Sequence, residues 1–151
     1  MQERMKDPIA IIPEARKAIR ELHAAAGQAG VPPATLALVH LRASQINGCT
    51  ICVHSGSVRA KKSGETDERL FTVSAWRDAP YFTSEERAAL ALTEAVTRLA
   101  DRPDPVPDEI WDAAAKHFSE QELSAILLMI ATTNVLNRLN VSTRQAPHFA
   151  G

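Results

Sequence analysis

Both cysteines of the chain lie in one short stretch, where Cys49 and Cys52 follow an Asn-Gly pair at residues 47–48. At a spacing of three residues, two thiols share one face of a helix and can close a disulfide across its first turn. If the helix starts at the Asn-Gly pair, its free N–H groups and positive dipole end favour thiolate over thiol. The motif predicts redox chemistry, in which one thiolate attacks an oxidant and the other resolves the product.

Two other interpretations of the cysteine pair stay open at this point. Buried cysteines can act simply as small apolar side chains. Cys49 and Cys52 could also form half of a zinc site with histidines as the other ligands. The chain has no second C-x-x-C and no H-x-x-x-H to complete four ligands, so we expect neither a metal nor a cofactor.

Bulk composition narrows the class of protein. The 151 residues are 45% apolar and 23% charged, which is typical of one globular domain spanning residues 1–151. A net charge of −1 gives no basic patch for nucleic acid, and no stretch of about 18 apolar residues predicts a membrane span. The first twelve residues, MQERMKDPIAII, lack the long apolar region of a signal peptide. We therefore expect a cytoplasmic protein, and structural disulfides are rare in that reducing compartment.

Helical periodicity and helix-ending residues run through the whole chain, which predicts an all-α fold of about seven helices. The expected spans are about 13–28, 32–46, 49–64, 67–76, 84–100, 108–118 and 120–139 or beyond. Capping boxes at Thr83 and Ser119 predict where the fifth and seventh helices begin. The seventh helix contains AILLMIATT at 125–133, apolar nearly all round, so we expect it to be a core helix or a subunit interface.

Four motifs together resemble one family. They are R-A-S-Q-I-N-G-C-x-x-C at 42–52, S-G-E-T-D-E-R-L at 63–70, A-W-R-D-A-P at 75–80 and N-R-L-N at 137–140. On these motifs the sequence resembles the alkylhydroperoxidase D-like branch of the carboxymuconolactone decarboxylase superfamily. The resemblance covers most of the chain.

The resemblance implies an all-helical bundle that assembles into trimers or hexamers. It also implies a thiol-dependent peroxidase, in which Cys52 becomes the sulfenic acid and Cys49 resolves it to a disulfide. The implied partners are a hydroperoxide and a dithiol reductant, either a protein or a lipoyl group. A non-catalytic redox sensor on the same scaffold and a lactone decarboxylase are the alternatives.

The sequence departs from the family pattern Glu-x11-Cys-x2-Cys-x3-His at both outer positions. Ala37 stands where the Glu is expected, and Gly56 stands where the His is expected. The implied proton relay to the attacking thiol is therefore missing, and we expect weakened activity because a general base contributes roughly 10²–10⁴-fold.

One histidine is a candidate substitute for the missing base. His40 follows Ala37 by three residues on the same helix face, so it could face the cysteines if the second and third helices fold back on each other. His54 is only two residues from Cys52, nearly on the opposite side of a helix, and is predicted to lie at the surface. Arg42 is predicted to form a surface ion pair. His23, His117 and His148 have no motif around them and are expected to be structural or surface residues.

Overall fold

The computed structural model describes residues 2–147 and is built from α-helices, with no strand in that range. The eight helices are α1 (Pro8–Ile11), α2 (Pro13–Gly27), α3 (Pro33–Ile46), α4 (Thr50–Lys62), α5 (Asp67–Thr72), α6 (Ser84–Thr97), α7 (Asp108–Ala115) and α8 (Glu120–Thr143). A short 3-10 turn at Val73–Ala75 extends α5. The all-α prediction is confirmed, and α1 is the helix that the sequence analysis missed. His148 lies outside the described residues.

Local side-chain bonds set the helix starts that the sequence indicates. Thr83 and Glu86 form a reciprocal capping box at α6, and Ser119 and Glu122 form another at α8. The one-turn helix α1 begins where the Asp7 carboxylate accepts a hydrogen bond from the backbone N–H of Ile9 at 3.1 Å. A four-residue helix has too few positions to show an apolar period, which explains why only its cap could have revealed it.

Helix α3 is central and packs against α4, α6 and α8. One of its faces joins an apolar cluster with α2, α6, α7 and α8, in which Val39 and Ile126 are fully buried. Its opposite face joins a second cluster with α4, α5 and α6, in which Leu41 and Leu90 are fully buried. Each buried leucine or isoleucine contributes roughly 1.5–3 kcal/mol of transfer free energy, so α3 is held on both sides. Among residues 2–147, no helix is long and apolar enough to cross a bilayer.

Helix α8 is less enclosed than its sequence predicts. Ile126 and Ile130 are buried, but Leu128 is 38% exposed and Val135 is 47% exposed in the single chain. These two side chains lie two turns apart on the outer face of the helix. The expected core helix is confirmed by the buried Ile126 and Ile130, and contact of the outer face with another subunit stays a prediction.

A buried carboxylate joins two of the sequence motifs. Glu94 on α6 accepts a hydrogen bond from Arg42 at 2.8 Å, from the Trp76 indole at 2.9 Å and from Arg77 at 3.0 Å. Burial alone would raise the pKa of Glu94, but the bonds from Arg77, Trp76 and Arg42 outweigh it and lower that pKa to about 2. The prediction of a surface ion pair for Arg42 was wrong about the surface, because both partners are mostly buried. The R-A-S-Q and A-W-R-D motifs therefore have a structural role, since their arginines and tryptophan meet at Glu94.

Candidate active site

A tight turn between α3 and α4 positions the cysteine pair. Helix α3 ends at Ile46, and Gly48 has φ of +65°, a left-handed conformation that glycine adopts without steric cost. The Cys49 N–H then donates back to the carbonyl of Ser44 at 3.0 Å, which places Cys49 as the N-cap of α4. The predicted helix start at the Asn-Gly pair is confirmed.

Cys49 and Cys52 are joined by a disulfide across the first turn of α4, with their Cα atoms 5.3 Å apart. Both residues are buried, with 1% and 5% of their surface exposed. In the part of the chain that the structure describes, no group of three or more His, Cys, Asp or Glu side chains could hold a metal ion. The geometry brings the two predicted redox residues together in the oxidised form of the pair.

A row of asparagines on α8 holds this turn in place. The Asn47 amide donates to the side-chain oxygens of Asn134 and Asn137, both at 2.9 Å, and Asn137 donates to Ser44 at 3.2 Å. The next member of the row, Asn140, donates its amide N–H to Cys52 Sγ at 3.3 Å. A hydrogen bond of this kind stabilises a thiolate more than a thiol, because the negative charge strengthens the acceptor. The N-R-L-N motif thus fixes the cysteine turn and reaches the sulfur of Cys52.

His40 packs against Gly56, one helical turn after Cys52. A Cβ atom built on Gly56 would lie 2.9 Å from His40 Cδ2 and 3.2 Å from Nε2, so no side chain fits there while the imidazole stays in place. His40 Nδ1 lies 3.1 Å from the hydroxyl oxygen of Thr133, whereas Nε2 is buried and has no hydrogen-bond partner among the described residues. His40 therefore fills the space beside the glycine that stands at the family's histidine position.

The surroundings of His40 keep its imidazole neutral. Burial, followed by the charges of Arg59 and His23, lowers the pKa of His40 to about 4, although the Cys52 backbone carbonyl works in the opposite direction. At neutral pH the ring is an uncharged group with one unpartnered nitrogen. Because the ring is already neutral, it can accept or donate a proton at Nε2 without a prior change of charge.

A cavity of about 1030 Å³ opens beside His40, between α2, α3 and α4. Ala37 and Gly56, the two positions that depart from the family pattern, both lie on its wall. His23 lines it too, with its ring centroid 6.4 Å from that of His40, and its buried Nε2 has no partner among residues 2–147. The sequence analysis missed His23, and the only available signal was its spacing from Arg16 and Arg20 along one face of α2.

His54 and His117 do not line this cavity. His54 is exposed on α4, as predicted. His117 Nδ1 lies 3.7 Å from a carboxylate oxygen of Glu85.

Comparisons with known proteins place the chain among helical relatives. The model of the carboxymuconolactone decarboxylase family matches residues 13–95. The uncharacterised protein YdfG of Bacillus subtilis is 31% identical over 132 residues, which cover 87% of this chain and 88% of YdfG. The uncharacterised protein YnjA of Escherichia coli is 32% identical over 108 residues, and the match covers 72% of this chain but only 58% of YnjA.

Solved structures show the same fold. A protein of unknown function from Agrobacterium tumefaciens, described as a candidate antioxidant defence protein AhpD, superposes with a TM-score of 0.89 at 32% identity. That superposition covers 98% of this chain and 100% of the other. The apo debrominase Bmp8 superposes with a TM-score of 0.79 at 21% identity, over 94% of this chain and 75% of Bmp8, which shows likeness of fold alone.

Proposed function

Because the chain belongs to the carboxymuconolactone decarboxylase family, in its alkylhydroperoxidase D-like branch, we propose that it is a thiol-dependent peroxidase that cycles through Cys49 and Cys52. The observation that carries the proposal is the disulfide between these residues at the start of α4. The two Cα atoms lie 5.3 Å apart, within the range that a disulfide spans.

In the proposed cycle the Cys52 thiolate attacks one oxygen of a hydroperoxide. The O–O bond breaks, that oxygen becomes a sulfenic acid on Cys52, and the rest of the peroxide leaves as an alcohol after taking up a proton. The Cys49 thiol then attacks the Cys52 sulfur, which forms the disulfide and releases water. A dithiol, either a protein or a lipoyl group, returns two electrons and two protons by thiol–disulfide exchange and is itself oxidised.

Asn140 and His40 support Cys52 as the attacking residue. Asn140 donates to its sulfur, and no comparable bond reaches the sulfur of Cys49 among the described residues. We assign His40 as the group that takes the thiol proton in place of the missing relay, because its unpartnered Nε2 lies against Gly56 on the same face of α4. With a pKa of about 4, His40 is a weak base, so activity at neutral pH should be modest.

The proposal includes assembly and cellular location. The exposed apolar residues Leu128, Val135 and Val141 on α8 suit a subunit contact, and we propose a homotrimer or homohexamer of single-domain chains. A dithiol-driven cycle also suits the cytoplasm, where thiol donors keep such pairs reduced.

A peroxide-consumption assay tests the proposal. The wild type, supplied with dihydrolipoamide, should remove cumene hydroperoxide in many turnovers per chain, and Cys52→Ser should remove none above background. Thr50→Ser is the matched control, because Thr50 is exposed between the two cysteines and should leave the rate unchanged. Equal rates for the wild type and Cys52→Ser would overturn the proposal.

The near-complete burial of both cysteines favours a redox sensor as the second candidate. Such a protein would form the disulfide once, slowly, and would not turn over with a dithiol donor. The same assay separates the two functions, since a sensor gives at most one equivalent of alcohol per chain.

A further inference from the structure

The cavity beside His40 has the size and the walls of a small-molecule site. Its volume of about 1030 Å³ is at the upper end of the roughly 300–1,000 Å³ usual for pockets that hold organic ligands. Apolar side chains from α2, α3 and α8 line it, including Ile19, Leu36, Met129 and Leu136. Ala37 adds to the space because it is small, whereas His40 fills the space beside Gly56.

Two arginines in this cavity have no partner. Arg20 on α2 and Arg59 on α4 line it from opposite helices, and neither forms an ion pair or donates a hydrogen bond within residues 2–147. The other ionised side chains on the cavity wall already form ion pairs. Asp7 lies 3.6 Å from Arg16, and Arg69 bridges Glu65 at 2.7 Å and Glu86 at 3.0 Å. The unmatched charge of the cavity is therefore positive.

Two neutral imidazoles complete the wall. His40 is 7% exposed, and its Nε2, like that of His23, is buried without a hydrogen-bond partner in the described part of the chain. Buried polar nitrogens of this kind are rare without a partner.

We propose that this cavity binds the organic substrate of the peroxidase, an apolar hydroperoxide that carries a carboxylate, with the carboxylate held by Arg20 and Arg59. The inference rests on the proposed function. The apolar walls take the hydrocarbon body, and the rings of His40 and His23 lie on the same wall beside it.

The face of α4 connects this cavity to the reactive sulfur. Gly56 and Arg59 line the cavity, and they follow Cys52 by four and seven residues, so all three lie in one row along the helix. The cavity thus begins one helical turn after Cys52, which does not itself line it.

Binding can be tested without any turnover, by calorimetry on the oxidised protein with octanoate as the probe and octanamide as its neutral control. Octanoate should bind the wild type, and the double variant Arg20→Gln/Arg59→Gln should bind it about tenfold more weakly, the loss expected for removing charge-assisted bonds. The affinity for octanamide should not change. The matched control is Lys17→Gln/Lys62→Gln, which removes the same two charges from α2 and α4 at exposed positions off the cavity wall. Octanoate binding that is absent, or equal in both double variants, would overturn the assignment.

Turnover tests the substrate class separately. The wild type should have a higher kcat/KM for linoleic acid hydroperoxide than for its methyl ester, and Arg20→Gln/Arg59→Gln should abolish that preference. An unchanged preference in the variant would refute the substrate assignment. Selective octanoate binding without any Cys52-dependent turnover would refute the peroxidase and leave the binding site standing. Cys52-dependent turnover without selective octanoate binding would refute the binding site and leave the peroxidase standing.

Discussion

The contact between His40 and Gly56 can be measured as a coupling free energy. In the wild type, a Cβ at residue 56 would lie 2.9 Å from His40 Cδ2, well inside the roughly 3.5–4.0 Å of normal carbon contact. Gly56→Ala must therefore push the imidazole away from Thr133, which costs about 1–3 kcal/mol of overpacking and strains a hydrogen bond of about 1 kcal/mol. Alanine in a helix interior returns about 1 kcal/mol relative to glycine. We expect Gly56→Ala to lower the free energy of unfolding by about 1 kcal/mol.

Removing His40 should reverse the sign of that effect. In a His40→Ala background the space beside residue 56 is empty, so Gly56→Ala should stabilise the protein by about 1 kcal/mol. The difference between the two backgrounds is a coupling of about 2 kcal/mol, read from urea denaturation of the oxidised proteins at constant m-value. Gly27→Ala serves as the control, because a Cβ on Gly27 meets nothing within 4 Å. If Gly56→Ala stabilised both backgrounds equally, His40 would not occupy the place assigned to it.

Three further predictions follow from buried charge and from the outer face of α8. Burial lowers the pKa of His40 to about 4 from an unfolded value near 6.5. The contribution of the neutral His40 ring to the free energy of unfolding is therefore complete above pH 6.5 and is lost as pH falls toward 4. That loss totals about 3 kcal/mol, and His40→Gln should flatten the dependence of the urea midpoint on pH. Glu94→Gln should cost about 3–5 kcal/mol in urea denaturation, since it leaves Arg42 buried beside a neutral amide. Asp67→Asn, at the exposed pair with Lys61, should cost less than about 1 kcal/mol, and equal losses would contradict the role of Glu94. Light scattering should give a trimer or hexamer that Leu128→Lys/Val135→Lys weakens, and a wild-type monomer at micromolar concentration would contradict the subunit contact.

The helices were predictable because local sequence determines them. The capping boxes at Thr83 and Ser119 and the Asn-Gly stop at residues 47–48 each act within a few residues, and all three lie where they were expected. The C-x-x-C disulfide is local in the same sense. Glu94 was not foreseen, because its partners Arg42 and Trp76 are distant in sequence and meet only after α3 and α6 pack.

The surroundings of the missing relay could be only half predicted. Ala37 and Gly56 identify what is missing, but the sequence does not show that His40 moves into the space beside Gly56. That contact changes how the relay could be restored. Ala37→Glu with Gly56→His would force the new histidine into His40, so a relay at these positions also requires His40→Ala.

The central claim is that peroxide oxidises Cys52 and that Cys49 resolves it. The most direct measurement is mass spectrometry of reduced Cys49→Ser and Cys52→Ser after one equivalent of cumene hydroperoxide, with dimedone present to trap sulfenic acid. Cys49→Ser should carry one dimedone adduct on Cys52, and Cys52→Ser should carry none, while the wild type loses two hydrogens within the peptide that holds both cysteines. An adduct on Cys49 in the Cys52→Ser protein, with none on Cys52 in the other variant, would contradict the account.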